Sequence, residues 1–261
     1  MRRYVSLVSV ILVLAAPHRS AHAQSHETAA NAPAATHTPH WSYEGAEGPR
    51  AWGRLDSTWK TCTSGREQSP IDLGSTVAPR KARIDAHFNA SPFVLFHNGH
   101  TVQAAIAKPS DLTVDGSRYS SLQFHFHHPS EHTVNGTAFP AELHLVHKND
   151  RGELAVLGIF IAFAAEDNPL FEALIARLPK AAGDSVSFTT PVDVAALLDD
   201  RAGQTEDLFT YRGSLTTPPC SEGVKWTVRS RPIHASFRQI QKLVAVLGEN
   251  ARPAQSVFAR R

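Results

Sequence analysis

The chain has 261 residues, with 26 Lys and Arg against 24 Asp and Glu, 15 His and two Cys. That length holds one large domain or two small ones. The near balance of charge gives no support to a nucleic-acid partner.

Arg2 and Arg3 precede an apolar run from Tyr4 to Ala16, and Ala21-His22-Ala23 offers small residues where a signal peptidase reads, so residues 1–23 are expected to be a signal peptide. The run is too short to span a membrane. The paired arginines hint at a twin-arginine route, but the residues around them do not support it well. Losing this leader leaves 23 basic side chains against 24 acidic ones. The expected location is exported, periplasmic or secreted. Both cysteines, Cys62 and Cys220, remain after cleavage, and in an oxidising compartment a pair usually bridges, the alternative being two buried free thiols.

Residues 24–40 are rich in Ala, Thr, Pro and His and poor in large apolar side chains, so they are expected to form a disordered lead. The histidines there, His26, His37 and His40, could capture metal loosely, although a solvated linker is the simpler reading. Folding is expected from Trp41, where WSYEGAEGPRAW sets Trp41, Tyr43 and Trp52 among Gly and Pro in an irregular segment.

From QSPIDL, Gln68 to Leu73, the signals are short and strand-like, broken by Gly, Pro, Asn and Asp. Asn98-Gly99 and Asp115-Gly116 are turn dipeptides between such runs. Two helices are predicted. Asp167 and Asn168 precede Pro169, and Leu170, Phe171, Leu174, Ile175 and Leu178 recur at helical spacing. Ser236 caps a run with Phe237, Ile240, Leu243, Val244 and Leu247 on one face, stopped by Gly248. The expected fold is therefore mostly β with a few short helices (α+β), a single domain over 41–261 around a large, mainly antiparallel twisted central sheet.

The stretch from Gln123 to His147, QFHFHHPSEHTVNGTAFPAELHLVH, carries the chemistry. Side chains two apart in a strand share a face, so Gln123, His125 and His127 project together, as do Glu142, His144 and Val146. If the two strands are antiparallel neighbours, three imidazoles converge. Three neutral imidazoles with an open fourth position describe a catalytic zinc site rather than a closed structural one. A ligating imidazole gives its other nitrogen to an acceptor, and Gln123 and Glu142 are placed to be those acceptors for His125 and His144.

This stretch resembles the metal-binding core of an alpha-class carbonic anhydrase of the bacterial, exported type. That family sets two zinc histidines in an F-H-F-H strand and the third in an E-L-H-L-V-H strand, and its SLTTPP motif recurs here at Ser214 to Pro219. The resemblance runs from Trp41 to the RPAQ at Arg252 to Gln255. It implies Zn2+ on His125, His127 and His144, and reversible hydration of carbon dioxide to bicarbonate and a proton through a zinc-bound hydroxide. It further implies that Thr216, the first Thr of TTPP, accepts the hydroxide proton while Glu131 accepts the proton of Thr216. An ionised carboxylate can only accept, which would fix that direction.

The same resemblance implies a carbon dioxide pocket walled by Val146, Val156, Leu215 and Trp226, with the Thr216 N–H meeting a substrate oxygen and Thr217 contacting bicarbonate or anions. His100 stands where the family keeps a proton shuttle, and Tyr43, Asn98 and Gln103 fall at positions of the cleft water network. Gln103 departs from the Asn of the best-known animal enzymes, and the loop after His127 is shorter here, which opens one rim. By position, Asn250 would offer its carbonyl to His127, and a Cys62–Cys220 disulfide would tie the N-terminal segment to the loop after TTPP. Sulfonamide and anion inhibitors and a homodimer are expected on the same ground. Two other classes compete. His125-x-His127 followed by Glu131 fits part of a cupin motif, which would suggest iron or manganese, although Tyr119 stands where cupins want glycine. A non-catalytic relative would need a lost ligand, and all three are present.

Overall fold

Residues 39–74, 76–87, 89–106, 110–114, 116–192 and 205–256 are described by a computed structural model. They belong to one compact unit that begins at Pro39. The expected signal peptide and nearly all of the lead at 24–40 lie outside them, as does Asp115 of one predicted turn. Among the described residues no helix is long and apolar enough to cross a membrane.

In chain order, the first half of the fold carries two single-turn helices, α1 (Trp52–Leu55) and α2 (Thr61–Ser64), then β1 (Asp72–Leu73), β2 (Arg80–Arg83) and β3 (Asp85–His87). Next come β4 (Ser91–His97), β5 (Val102–Ile106), β6 (Asp111–Val114) and β7 (Ser117–His127). The short β8 (Thr133–Val134) and β9 (Thr137–Ala138) precede β10 (Ala141–Lys148) and β11 (Leu154–Ala164). After α3 (Pro169–Ile175) follow β12 (Ser185–Val192), β13 (Thr205–Ser214), β14 (Glu222–Ser236) and α4 (Phe237–Leu247).

The main sheet has the order β12-β4-β5-β7-β10-β11-β14-β13-β2, with β3 and β6 joined to it beside β7. It is mixed rather than wholly antiparallel: β11 pairs β14 in parallel. Parallel neighbours need a long crossover, and here α3, β12 and β13 make it. A small second sheet holds β1, β8 and β9.

One face of the sheet is closed by the two longer helices. Phe124, Phe126, Leu143, Leu145, Leu157, Ile159 and Ile161 belong to one buried cluster with Phe171, Leu174 and Ile175 of α3 and Ile240 and Leu243 of α4. Asn168 caps α3, its Oδ1 accepting from the N–H of Leu170 and Phe171, and Ser236 with Gln239 forms a capping box on α4. Buried Gln239 joins the two helix starts by accepting from the N–H of Asn168 and donating to its carbonyl. Phe237 does not share the buried face of α4. It is 62% exposed and lies against Phe163 at the surface, because the first turn of the helix overhangs the end of β11.

The strand β7 changes the face it presents to this core. Tyr119 is buried in it, yet so are Phe124 and Phe126, residues of the opposite parity. The switch occurs at a bulge, where Val146 pairs Gln123 but His147 pairs Ser121, so that Leu122 is skipped. A bulge re-aims the side chains beyond it. Here it turns His125 and His127 to the face that the helices leave open.

His147 lies wholly buried beside this bulge, its Nδ1 hydrogen-bonded to the Leu145 carbonyl, and burial pushes its imidazole down to about 4. The unfolded chain takes up this proton near the ordinary histidine value of about 6.5. The stabilisation is therefore complete above that value and is lost as pH falls towards 4. By linkage the loss approaches about 3 kcal/mol. Urea unfolding at pH 7.5 and pH 4.5 should show His147→Gln losing less stability over that interval than the parent protein; equal losses would remove His147 as a cause.

Candidate metal centre

The antiparallel register of β7 and β10 sets His125 opposite His144 and His127 opposite Glu142. Each of the three histidines places a nitrogen within 4.8 Å of the others. His127 and His144 are each 1% exposed, and His125 retains access to solvent.

The outer nitrogen of every ring is occupied. His125 Nδ1 lies 2.8 Å from Gln123 Oε1, His127 Nδ1 lies 2.7 Å from the Asn250 carbonyl, and His144 Nε2 lies 2.9 Å from Glu142 Oε1. That leaves His125 Nε2, His127 Nε2 and His144 Nδ1 for a common guest. His127 Nε2 is buried with no hydrogen-bond partner, a costly arrangement unless something binds it. The donor set, three imidazoles without thiolate, fits zinc.

Burial and the neighbouring His127 and His144 hold His125 well below the usual histidine range. Burial likewise lowers His127 against the pull of Glu131. Burial would lower His144 as well, but the Glu142 carboxylate overrides it and raises that ring. Burial alone would raise Glu142, and His132 and His144 reverse this to hold it well below the usual carboxylate range.

His132, wholly buried, was not singled out in the sequence. Its Nδ1 lies 2.7 Å from Glu142 Oε1, its N–H donates to Glu142 Oε2, and its Nε2 lies 2.6 Å from the Tyr211 hydroxyl. Tyr211 in turn donates to Ser69 Oγ. His132, Glu142 and His144 are also close enough to hold an ion, but both His132 nitrogens are occupied, so this group is a hydrogen-bonded relay that fixes Glu142. Gly158, opposite His144 in β11, completes it. A Cβ there would come within 2.9 Å of Glu142 Oε1 and 3.2 Å of Val228 Cγ2. Nothing in the periodicity marks either residue; a histidine directly after Glu131 in a short loop was the only signal.

Glu131 is 2% exposed. Its Oε1 accepts from the Arg252 N–H, and its Oε2 has no hydrogen-bond partner and faces two of the clustered rings, 3.4 Å from His127 Nε2 and 3.9 Å from His144 Nδ1. Thr216 is buried but shares no hydrogen bond with Glu131 in this structure, the carboxylate being turned toward the two imidazoles instead. The loop that carries Thr216 and Thr217 is held by Leu215 N–H to the Ser221 carbonyl, Cys220 N–H to the Thr217 carbonyl and the Cys62–Cys220 disulfide.

The apolar wall is built by register. Val146 pairs Val156, Val156 pairs Trp226, and all three belong to one cluster against which Leu215 packs. On the other side His125 pairs Gln103, which pairs Phe96. Phe96 is 43% exposed and extends the row of His144, His125 and Gln103, a position the sequence did not single out.

At the rim His100 stacks on Trp41, ring centres 3.6 Å apart and nearly parallel, and burial followed by the nearby His40 and His97 lowers its imidazole. Asn98 Oδ1 accepts from the N–H of His100 and Thr101, so this side chain shapes the turn that presents His100. Trp41, Tyr43, His100 and Asn250 line a groove of about 360 Å3. Burial and the Glu131 charge hold the Tyr43 phenol well above its ordinary value.

A buried three-imidazole cluster with oriented outer nitrogens, an apolar wall and an open rim defines the site of a metal-dependent enzyme. The chain matches the family model described as eukaryotic-type carbonic anhydrase over residues 47–260. It is 39% identical over 232 residues to a carbonic anhydrase of Klebsiella pneumoniae, covering 87% of this chain and 92% of that protein. A carbonic anhydrase of Nostoc is 38% identical over 90% of each chain. Among solved structures, the alpha-carbonic anhydrase of Thermovibrio ammonificans in complex with the inhibitor sulfanilamide superposes with a TM-score of 0.78 at 38% identity, over 84% of this chain and 96% of that one. The chain belongs to the alpha-carbonic anhydrase family.

Gly158→Ala should displace the Glu142 carboxylate from His144. Partners of this kind are worth about 10- to 100-fold in metal affinity, so metal should leave the variant faster under a chelator. Unchanged metal retention would show that Glu142 has room to adjust.

Proposed function

We propose that the protein catalyses zinc-dependent reversible hydration of carbon dioxide to bicarbonate and a proton. The observation that carries this reading is the set of three inward nitrogens on His125, His127 and His144, each ring fixed from behind by Gln123, Asn250 or Glu142. When bound there, zinc would lower the pKa of a coordinated water to about 7 and so supply a nucleophile at neutral pH.

The chain's own residues would do the rest. Val146, Val156, Leu215 and Trp226 offer an apolar wall suited to a small apolar substrate. Thr216 would accept a hydrogen bond from the attacking oxygen and, through its N–H, meet a substrate oxygen, with Glu131 accepting from its hydroxyl. Thr217 would contact the bicarbonate product. His100 would receive the released proton through water ordered by Tyr43, Gln103 and the turn at Asn98, since histidine titrates in the range such a transfer needs. The disulfide supports export to an oxidising compartment, periplasmic or extracellular. The sulfanilamide complex of the Thermovibrio relative supports sulfonamide binding here.

Stopped-flow hydration with metal analysis should find about one zinc per chain and activity that is lost on its removal, as one catalytic three-histidine site requires. His144→Ala should abolish both activity and sulfonamide binding. Stoichiometric iron that zinc cannot replace would overturn the zinc assignment. His100→Ala should leave kcat/KM nearly unchanged while lowering kcat in weak buffer, and added imidazole should restore much of the loss. An unchanged kcat in weak buffer would remove His100 from proton transfer.

A further inference from the structure

Residues after α4 form a coil that passes behind the centre. Asn250 meets His127 by its carbonyl, Arg252 donates its main-chain N–H to Glu131 Oε1 at 2.9 Å, and the Gln255 N–H reaches the Pro70 carbonyl at 2.8 Å. No regular element holds this coil. Its anchor is a side chain. The Arg252 guanidinium is 1% exposed, donates by Nη1 to the Ser69 carbonyl at 2.7 Å and by Nη2 to the Cys62 carbonyl at 2.9 Å, and lies 5.6 Å from the centre of the buried Trp52 ring.

A buried cation is expensive unless well compensated, and apolar packing alone would not call for one at this point. Burial pushes the guanidinium down to about 10 against the opposing charge of Glu131, so it stays charged at neutral pH. The two carbonyls belong to separate segments, one of them bonded through Cys62 to the loop that carries Thr216. A planar fork can reach both while its face rests on an aromatic ring, and an ammonium cannot.

We propose that Arg252 is a positioning residue for the hydration reaction: its side chain pins the coil so that its own N–H holds Glu131 by Oε1 and keeps Oε2 on the side of the three imidazoles, from where it would turn to accept from Thr216 in the zinc-loaded enzyme. This rests on the roles proposed above for Glu131 and Thr216. Arg252 touches neither substrate nor metal ligand. Its effect passes through Glu131.

The test compares zinc-loaded Arg252→Met and Arg252→Lys with the parent chain in metal content, kcat/KM for hydration, and affinity for benzenesulfonamide and for azide. A sulfonamide keeps a proton on its ligating nitrogen and needs a correctly aimed acceptor at Thr216; azide carries none. Both variants should retain zinc but lose about 10- to 100-fold in kcat/KM and in sulfonamide affinity, the range for a lost supporting hydrogen bond, with azide affinity nearly unchanged. Lysine should fail to rescue. A lower melting temperature with kcat/KM and the sulfonamide-to-azide ratio unchanged would reduce Arg252 to a structural staple and overturn the proposal. Should the methionine variant not fold, the lysine variant decides by the same ratio. A parent chain without hydration activity would instead overturn the function, and the ratio of the two affinities would still judge Arg252.

Discussion

What holds one nitrogen of an imidazole fixes the tautomer and tilt with which the other is presented, and each of the three clustered histidines here is held from behind by a different kind of acceptor: an amide oxygen, a main-chain carbonyl and a carboxylate. Much of the surrounding structure follows from that requirement. Glu142 must reach His144 along its own strand, so Gly158 gives it room and the His132 main-chain N–H holds its other oxygen. The Asn250 carbonyl must arrive from 123 residues away, so a coil after the last helix is drawn back to His127.

The face on which these rings stand is decided by one skipped residue. Without the bulge at Leu122, a strand that buries Tyr119 would bury His125 and His127 as well and turn Phe124 and Phe126 outward. A one-residue change of register moves every side chain to the opposite face. The bulge therefore lets a single strand contribute to the helix-covered core at both ends and still deliver two imidazoles to the open face.

Period-two reading found the three histidines, Gln123, Glu142 and Val146, because all six lie within two strands whose alternation is local. Caps were equally legible: Asn168 and Ser236 sit where their side-chain oxygens accept from the first turns of α3 and α4. Phe237 misled because helical spacing cannot tell a buried stripe from a helix start that overhangs the sheet edge. The contacts of His132, Tyr211, Ser69, Gly158 and Arg252 escaped notice for another reason. Their partners are other elements, and no local pattern encodes a contact between residues as distant as 69 and 211.

What the sequence determined by itself was the trio of converging histidines and the strands that bear it, since alternation, turn residues and the spacing of H-x-H and E-x-H are properties of short segments. The tertiary structure alone decided that β11 runs parallel to β14, that a buried carboxylate is shared by two histidines, and that an arginine near the C terminus stands behind Glu131. Those arrangements arise because buried polar groups must find partners wherever the fold brings them. Which partners are available is settled only when the whole sheet has closed.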